Sequence, residues 1–112
     1  MSADYAAAIA AGHVTVIERD GQIAGYLIGW PAADCYFIEN VAVDPAHQGC
    51  GLGRALFQKA EVQAKKLKLR AVMLYTNAAM TENLSLYVHF GFVETHRVVE
   101  DGYDRVYLRR AI

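Results

Sequence analysis

Nowhere in these 112 residues do about 18 apolar positions run without interruption, so no segment reads as a membrane-crossing helix. Residues 1–11 also lack a basic stretch followed by an apolar block, which removes the pattern of a secretory leader and points to the cytoplasm. Cysteine is scarce. Cys35 and Cys50 stand in different contexts, with no second cysteine or histidine pair at metal-ligand spacing, which argues against a disulfide framework and against a metal centre. Charge of one sign is missing too: eleven Lys and Arg against twelve Asp and Glu leave a formal charge of -1. No global field would therefore hold the protein on nucleic acid or on an anionic membrane. Arg109 and Arg110 form the most obvious basic pair, and two charges at a strand end read as solubilising. Internal repeats and low-complexity tracts do not occur.

What is present is material for a core. Hydrophobic residues make up 54% and charged residues 21%, the balance of a packed globular protein. A chain of this length buries its apolar side chains in one core, so residues 1–112 read as a single domain. Residues 3–11 are alanine-rich and end at Gly12, which predicts a short helix. Residues 13–18 and 22–30 flank Asp20-Gly21 as a β-hairpin, and residues 35–43 supply a third strand closed by Asp44-Pro45. Over residues 51–68, Leu52, Ala55, Leu56, Ala60, Gln63 and Leu67 fall near a 3.6-residue period, predicting the main helix. Residues 71–76 are almost continuously apolar, as in a central strand covered on both faces. Met80, Leu84, Tyr87 and Val88 mark one face of a second helix that stops before Gly91. Residues 92–99 and 103–108 then pair across Asp101-Gly102. The predicted order is αβββαβαββ.

Between the third strand and the main helix lies Asp44-Pro45-Ala46-His47-Gln48-Gly49-Cys50-Gly51-Leu52-Gly53-Arg54, with three glycines in five positions. A glycine in a helix interior costs roughly 0.5 to 1 kcal/mol, so a cluster at this boundary needs a reason. One is simple flexibility of a strand-to-helix connector. The other is close approach of backbone to an anion, since bare N–H groups and the helix dipole together suit a pyrophosphate. Neither the dinucleotide fingerprint nor the Gly-Lys-Ser/Thr ending of a P-loop is present.

The spacing that does occur is Q-x-x-G-x-G at Gln48, Gly51 and Gly53, after a strand ending Val41-Ala42-Val43 and before a helix. Here the chain resembles the GNAT superfamily of N-acetyltransferases, as a short member abbreviated at its N-terminus. The likeness returns in residues 74–92, where an Asn, a Leu-Tyr pair and Gly91-Phe92 follow in order, and together the motifs span residues 35–108. This resemblance implies an α+β, three-layer fold, with a mixed, mostly antiparallel central sheet and helices on both faces. It implies acetyl-CoA as co-substrate, no metal, and an amine acceptor whose identity the motifs do not carry. Val41, Ala42 and Val43 would lend backbone to the pantetheine and the acetyl carbonyl. Gln48, Gly49, Cys50, Gly51, Leu52 and Gly53, with Arg54, would hold the pyrophosphate.

Asn83 and Tyr87 are four apart and share a helix face. The resemblance places Tyr87 near the sulfur, where a phenol of ordinary pKa about 10 could protonate the departing thiolate. Direct attack by an amine requires its neutral form, which for a lysine-like amine at pH 7 costs about 4 to 5 kcal/mol. A base is therefore expected. Where several relatives carry a glutamate at the end of the strand after the main helix, this chain has Tyr75, which leaves Glu39 as the nearest carboxylate, with His47 and His89 as weaker candidates. Cys50, although near a helix N-terminus, has no Cys-His-Asp/Asn arrangement around it and reads as loop packing. Because few residues precede His13, the acceptor half looks abbreviated. That opens two alternatives, a homodimer and a non-catalytic acyl-CoA binding or sensing module.

Overall fold

The computed structural model describes residues 12–47 and 51–112. Two Asp-Gly turns fix the ends of its sheet. β1 (Val14–Arg19) and β2 (Gln22–Ala32) meet through Asp20 and Gly21, at φ 53° and 77°. β5 (Val93–Glu100) and β6 (Tyr103–Ala111) meet through Asp101 and Gly102, at φ 52° and 79°. Two successive positive φ values are what a tight hairpin turn of matching twist demands. Between the hairpins come β3 (Cys35–Val43), a short 3-10 turn (Pro45–His47), α1 (Leu52–Lys66), β4 (Ala71–Asn77) and α2 (Thr81–His89). The strand order is β1-β2-β3-β4-β6-β5, antiparallel throughout except for the parallel pair β3 and β4. The sheet is thus mixed and mostly antiparallel, with β4 inside it. The helix expected over residues 3–11 lies outside the described residues.

Strand side chains alternate between faces, and the alternation is strict where the core forms. Leu27, Tyr36, Ile38, Val72, Leu74, Val106 and Leu108 are buried in one cluster with Leu56, Phe57, Ala60 and Ala64 of α1 and with Phe92. Leu84, Tyr87 and Phe90 pack against the same cluster, so both described helices feed one core. The expected faces of the helices need correction. In α1 the buried row is Leu52, Leu56, Phe57, Ala60 and Ala64, whereas Gln63 is exposed and Leu67 is 44% exposed. The contact follows the i, i+4 ridge that packs into a neighbour's groove rather than the wider stripe. Met80 precedes the first turn of α2, and Val88 lies beside Tyr87 on the outward side, 59% exposed. On the sheet's other face Trp30, Phe37, Tyr75 and Tyr107 form a row of half-buried rings with centroids 5.4 to 5.8 Å apart.

β3 and β4 pair only from Cys35 with Ala71 to Ile38 with Leu74. Beyond that point β3 pairs only with β2 and β4 only with β6, so the sheet opens. A local cause is visible. The β2–β3 register passes from Ile28 with Asn40 to Gly29 with Ile38, which leaves Glu39 as the extra residue of a β-bulge. Bulges bend and twist the strand that carries them, and this one falls where β3 parts from β4. Gly29 makes the bulge possible: a Cβ there would stand 2.6 Å from the Tyr36 ring and 2.9 Å from the Phe37 carbonyl oxygen.

Candidate functional site

Beside the end of β3, past the point where its pairing with β4 stops, lies a cleft of about 660 Å³. One wall is Val41, Ala42 and Val43 of β3, the floor is Leu52, Gly53, Arg54 and Phe57 of α1, and the other wall is Asn83, Leu86, Tyr87 and Phe90 at α2. Because β4 has diverged, the β4-facing backbone groups of residues 39–42 have no neighbouring strand. An extended ligand can take that place, as a strand would.

At the mouth sits the N-terminus of α1. Its N-cap residue, Gly51, adopts φ 78° and ψ 13° and supplies no side-chain cap, and the first turn contains no acidic residue. The first N–H groups of a helix have no helical acceptor, so this end presents donors and a positive dipole to the cleft. Gly53 is the more informative glycine. It lies inside α1 without a positive φ, and among the described residues a Cβ built on it would meet nothing within 4 Å beyond its chain neighbours and its own helix backbone. Among the described residues, neither backbone conformation nor packing requires glycine there.

Tyr87 stands at the inner end, its ring edge-on to Phe57 at 5.9 Å and near Phe92 at 6.1 Å. Burial pushes its phenol above the ordinary value, because a phenolate would lose hydration in this apolar surround. The hydroxyl is therefore protonated at neutral pH. Asn83 lines the same wall one turn earlier and donates weakly to the Met80 sulfur at 3.7 Å. The Arg54 guanidinium lies over the Phe90 ring, 5.5 Å from its centroid.

Of the residues expected from the sequence, Val41, Ala42, Val43, Gly51, Leu52, Gly53, Arg54, Asn83 and Tyr87 come together in this cleft. Gln48, Gly49 and Cys50 lie outside the described residues. Glu39, at the bulge, is not part of the lining, whereas His47 and His89 are. Phe57 and Phe90 were not foreseen, since an aromatic at helical spacing looks the same whether it lines a core or a cleft. Arg109 and Arg110 prove to be more than solubilising charges. Arg109 donates to the Cys35 sulfur at 3.1 Å and pairs with Asp34 at 3.5 Å, and Arg110 donates to Glu61 at 2.6 Å. Burial raises the Cys35 thiol, which makes it a packed group and not an activated one.

The described residues thus bring the edge of a sheet split at a parallel pair, a helix N-terminus and a protonated phenol to one cleft. Residues 2–92 match the model of the acetyltransferase (GNAT) family, and the chain belongs to that family. It is 35% identical to a Bacillus subtilis (strain 168) protein assigned as a [ribosomal protein bS18]-alanine N-acetyltransferase, over 70% of this chain and 52% of that one. The crystal structure of the ribosomal-protein-S18-alanine N-acetyltransferase from Escherichia coli superposes with a TM-score of 0.75 at 25% identity, covering 88% of this chain and 68% of that one. A Bacillus anthracis chain assigned as a streptothricin acetyltransferase, solved in complex with acetyl coenzyme A, shares the fold with a TM-score of 0.82 at 19% identity, covering 88% and 61%. The chain spans about half the length of the curated alanine N-acetyltransferases it matches.

Proposed function

We propose that this chain is an acetyl-CoA-dependent N-acetyltransferase acting on a primary amine by direct attack in a ternary complex. The observation that carries the reading is Gly53, a helix glycine that packs against none of the described residues outside its own helix, set beside a strand edge that has lost its neighbour. Pyrophosphate would sit on the N–H groups at the start of α1, with Arg54 beside it and Gln48, Gly49 and Cys50 completing the loop. Pantetheine would run along Val41, Ala42 and Val43, with Asn83 facing it.

In the reaction the amine nitrogen attacks the thioester carbonyl, the C–S bond breaks, and the sulfur takes a proton from the Tyr87 hydroxyl while the nitrogen gives one up. Tyr87 suits that step because burial keeps it protonated. Among the described residues no carboxylate lines the cleft. The nitrogen's proton would then pass to His47, to His89 or to water leading toward Glu39. The relatives named for ribosomal protein alanine make the α-amine of an N-terminal alanine the first acceptor to try.

The same lack of a lining carboxylate favours the second reading, a module that binds acyl-CoA without turning it over. The two separate on mixing the protein with acetyl-CoA and a panel of amines, an alanine-initiated peptide among them, and following free thiol. Amine-dependent release supports the transferase, and binding without release supports the module. A homodimer is proposed through the terminal hairpin, where Val93, Val99 and Tyr103 are 66%, 74% and 57% exposed. Light scattering would read it directly, and a monomer mass at micromolar concentration would remove it.

A further inference from the structure

A second cleft of about 380 Å³ opens against the first and shares Arg54, Phe57, His89 and Phe90 with it. Its outer wall brings together Glu61 of α1, Gly91 after α2 and Arg110 of β6. Arg110 donates to the Glu61 carboxylate at 2.6 Å, yet its side chain stays 39% exposed at the cleft wall. Gly91, at φ 90°, leaves room for it: a Cβ there would stand 3.2 Å from the Arg110 Nε. Lys65 also pairs with Glu61, at 3.6 Å, so that carboxylate keeps a partner if Arg110 turns away. The result is a concave site with two guanidinium groups, the aromatic rings of Phe57, His89 and Phe90 and a single carboxylate, adjoining the main cleft through shared residues.

That chemistry fits a phosphomonoester on a nucleoside. Arginine matches phosphate oxygens through paired N–H donors, and Phe90 offers a face to a base. Coenzyme A carries such a group beyond its diphosphate, a ribose 3′-phosphate with an adenine. We propose that the second cleft reads the 3′-phosphate of coenzyme A, with Arg110 as the recognising side chain, Arg54 beside it, and Glu61 as the group that competes for Arg110. This rests on the proposed use of acetyl-CoA. It adds a selection step: a donor that ends at phosphopantetheine leaves the second cleft empty.

The test compares CoA with dephospho-CoA, which has a hydroxyl in place of the 3′-phosphate, by calorimetric titration at fixed ionic strength. The wild-type chain is expected to bind CoA about tenfold more tightly, the scale of one charge-assisted contact. Arg110→Gln should reduce the ratio to about twofold by weakening CoA alone, and Glu61→Gln should widen it by releasing Arg110. A wild-type ratio near one, or a ratio unchanged in Arg110→Gln, overturns the proposal while leaving the acetyl-CoA reading standing. Should Arg110→Gln fail to fold, Glu61→Gln decides, and an unchanged ratio there also overturns it. Failure of the wild-type chain to bind either ligand overturns both readings together.

Discussion

Tyr87 shows how far a single residue could be read in advance. Its place on a helix face with Asn83 followed from four-residue spacing, and its proposed place near a thioester from the Leu-Tyr and Gly-Phe pattern. The burial that keeps it protonated did not, because Phe57 and Phe92 reach it from 30 residues before and 5 after. Tyr87→Phe should lower kcat by about 100-fold with little change in acetyl-CoA affinity, as expected on losing a general acid. An unchanged kcat would take Tyr87 out of that role. The raised phenol also has a stability consequence. The unfolded chain ionises its tyrosines near pH 10, and the folded chain holds Tyr87 and Tyr36 neutral to higher pH. Their contribution is complete below about pH 10 and lost as pH climbs through the raised values. Alkaline melting should therefore be shallower in Tyr87→Phe, which has no phenol to ionise. Glu39 and Arg110 were less legible. The first owes its place to a register change across two strands, the second to a partner 49 positions away.

Among the elements, α1 carries both the best and the worst of the sequence reading. Its start was legible because glycines cluster there, and its buried face was misjudged because the contact ridge depends on what it packs against. Gly53→Ala separates the two demands on this helix. With no neighbour among the described residues within 4 Å outside its own helix and no positive φ, alanine should hold or raise stability by about 0.5 to 1 kcal/mol. Acetyl-CoA affinity should nonetheless fall, by about tenfold or more, because the methyl group intrudes on the diphosphate. Paired melts and titrations check this, and undiminished affinity would remove the α1 terminus from the site. At β2 the expectation reverses. Gly29→Ala places a methyl group against the Phe37 carbonyl and the Tyr36 ring, and should destabilise by about 1 to 3 kcal/mol, visible as a lower Tm. A wild-type Tm would mean that the bulge is not held by this close approach.

At the scale of the whole molecule, the order of strands and helices from residue 14 onward followed from hydrophobic period and turn chemistry, and the central place of β4 from its continuous apolar run. The opening of the sheet did not. Residues 39–43 and 75–77 look as strand-like as those before them, and nothing along either segment says that pairing between them stops at Ile38 and Leu74. The feature on which the proposed function turns is thus a relation between elements, and the family's motifs pointed to it only indirectly. It joins one cleft to a strand edge, a helix terminus and a phenol, the parts an acyl transfer from a long anionic thioester requires. The measurement that tests this most directly is release of free CoA thiol from acetyl-CoA with an alanine-initiated peptide and other primary amines, wild type beside Tyr87→Phe. The expected result is release that rises with amine concentration and falls sharply in the variant. Tight acetyl-CoA binding with no amine-dependent release would contradict it.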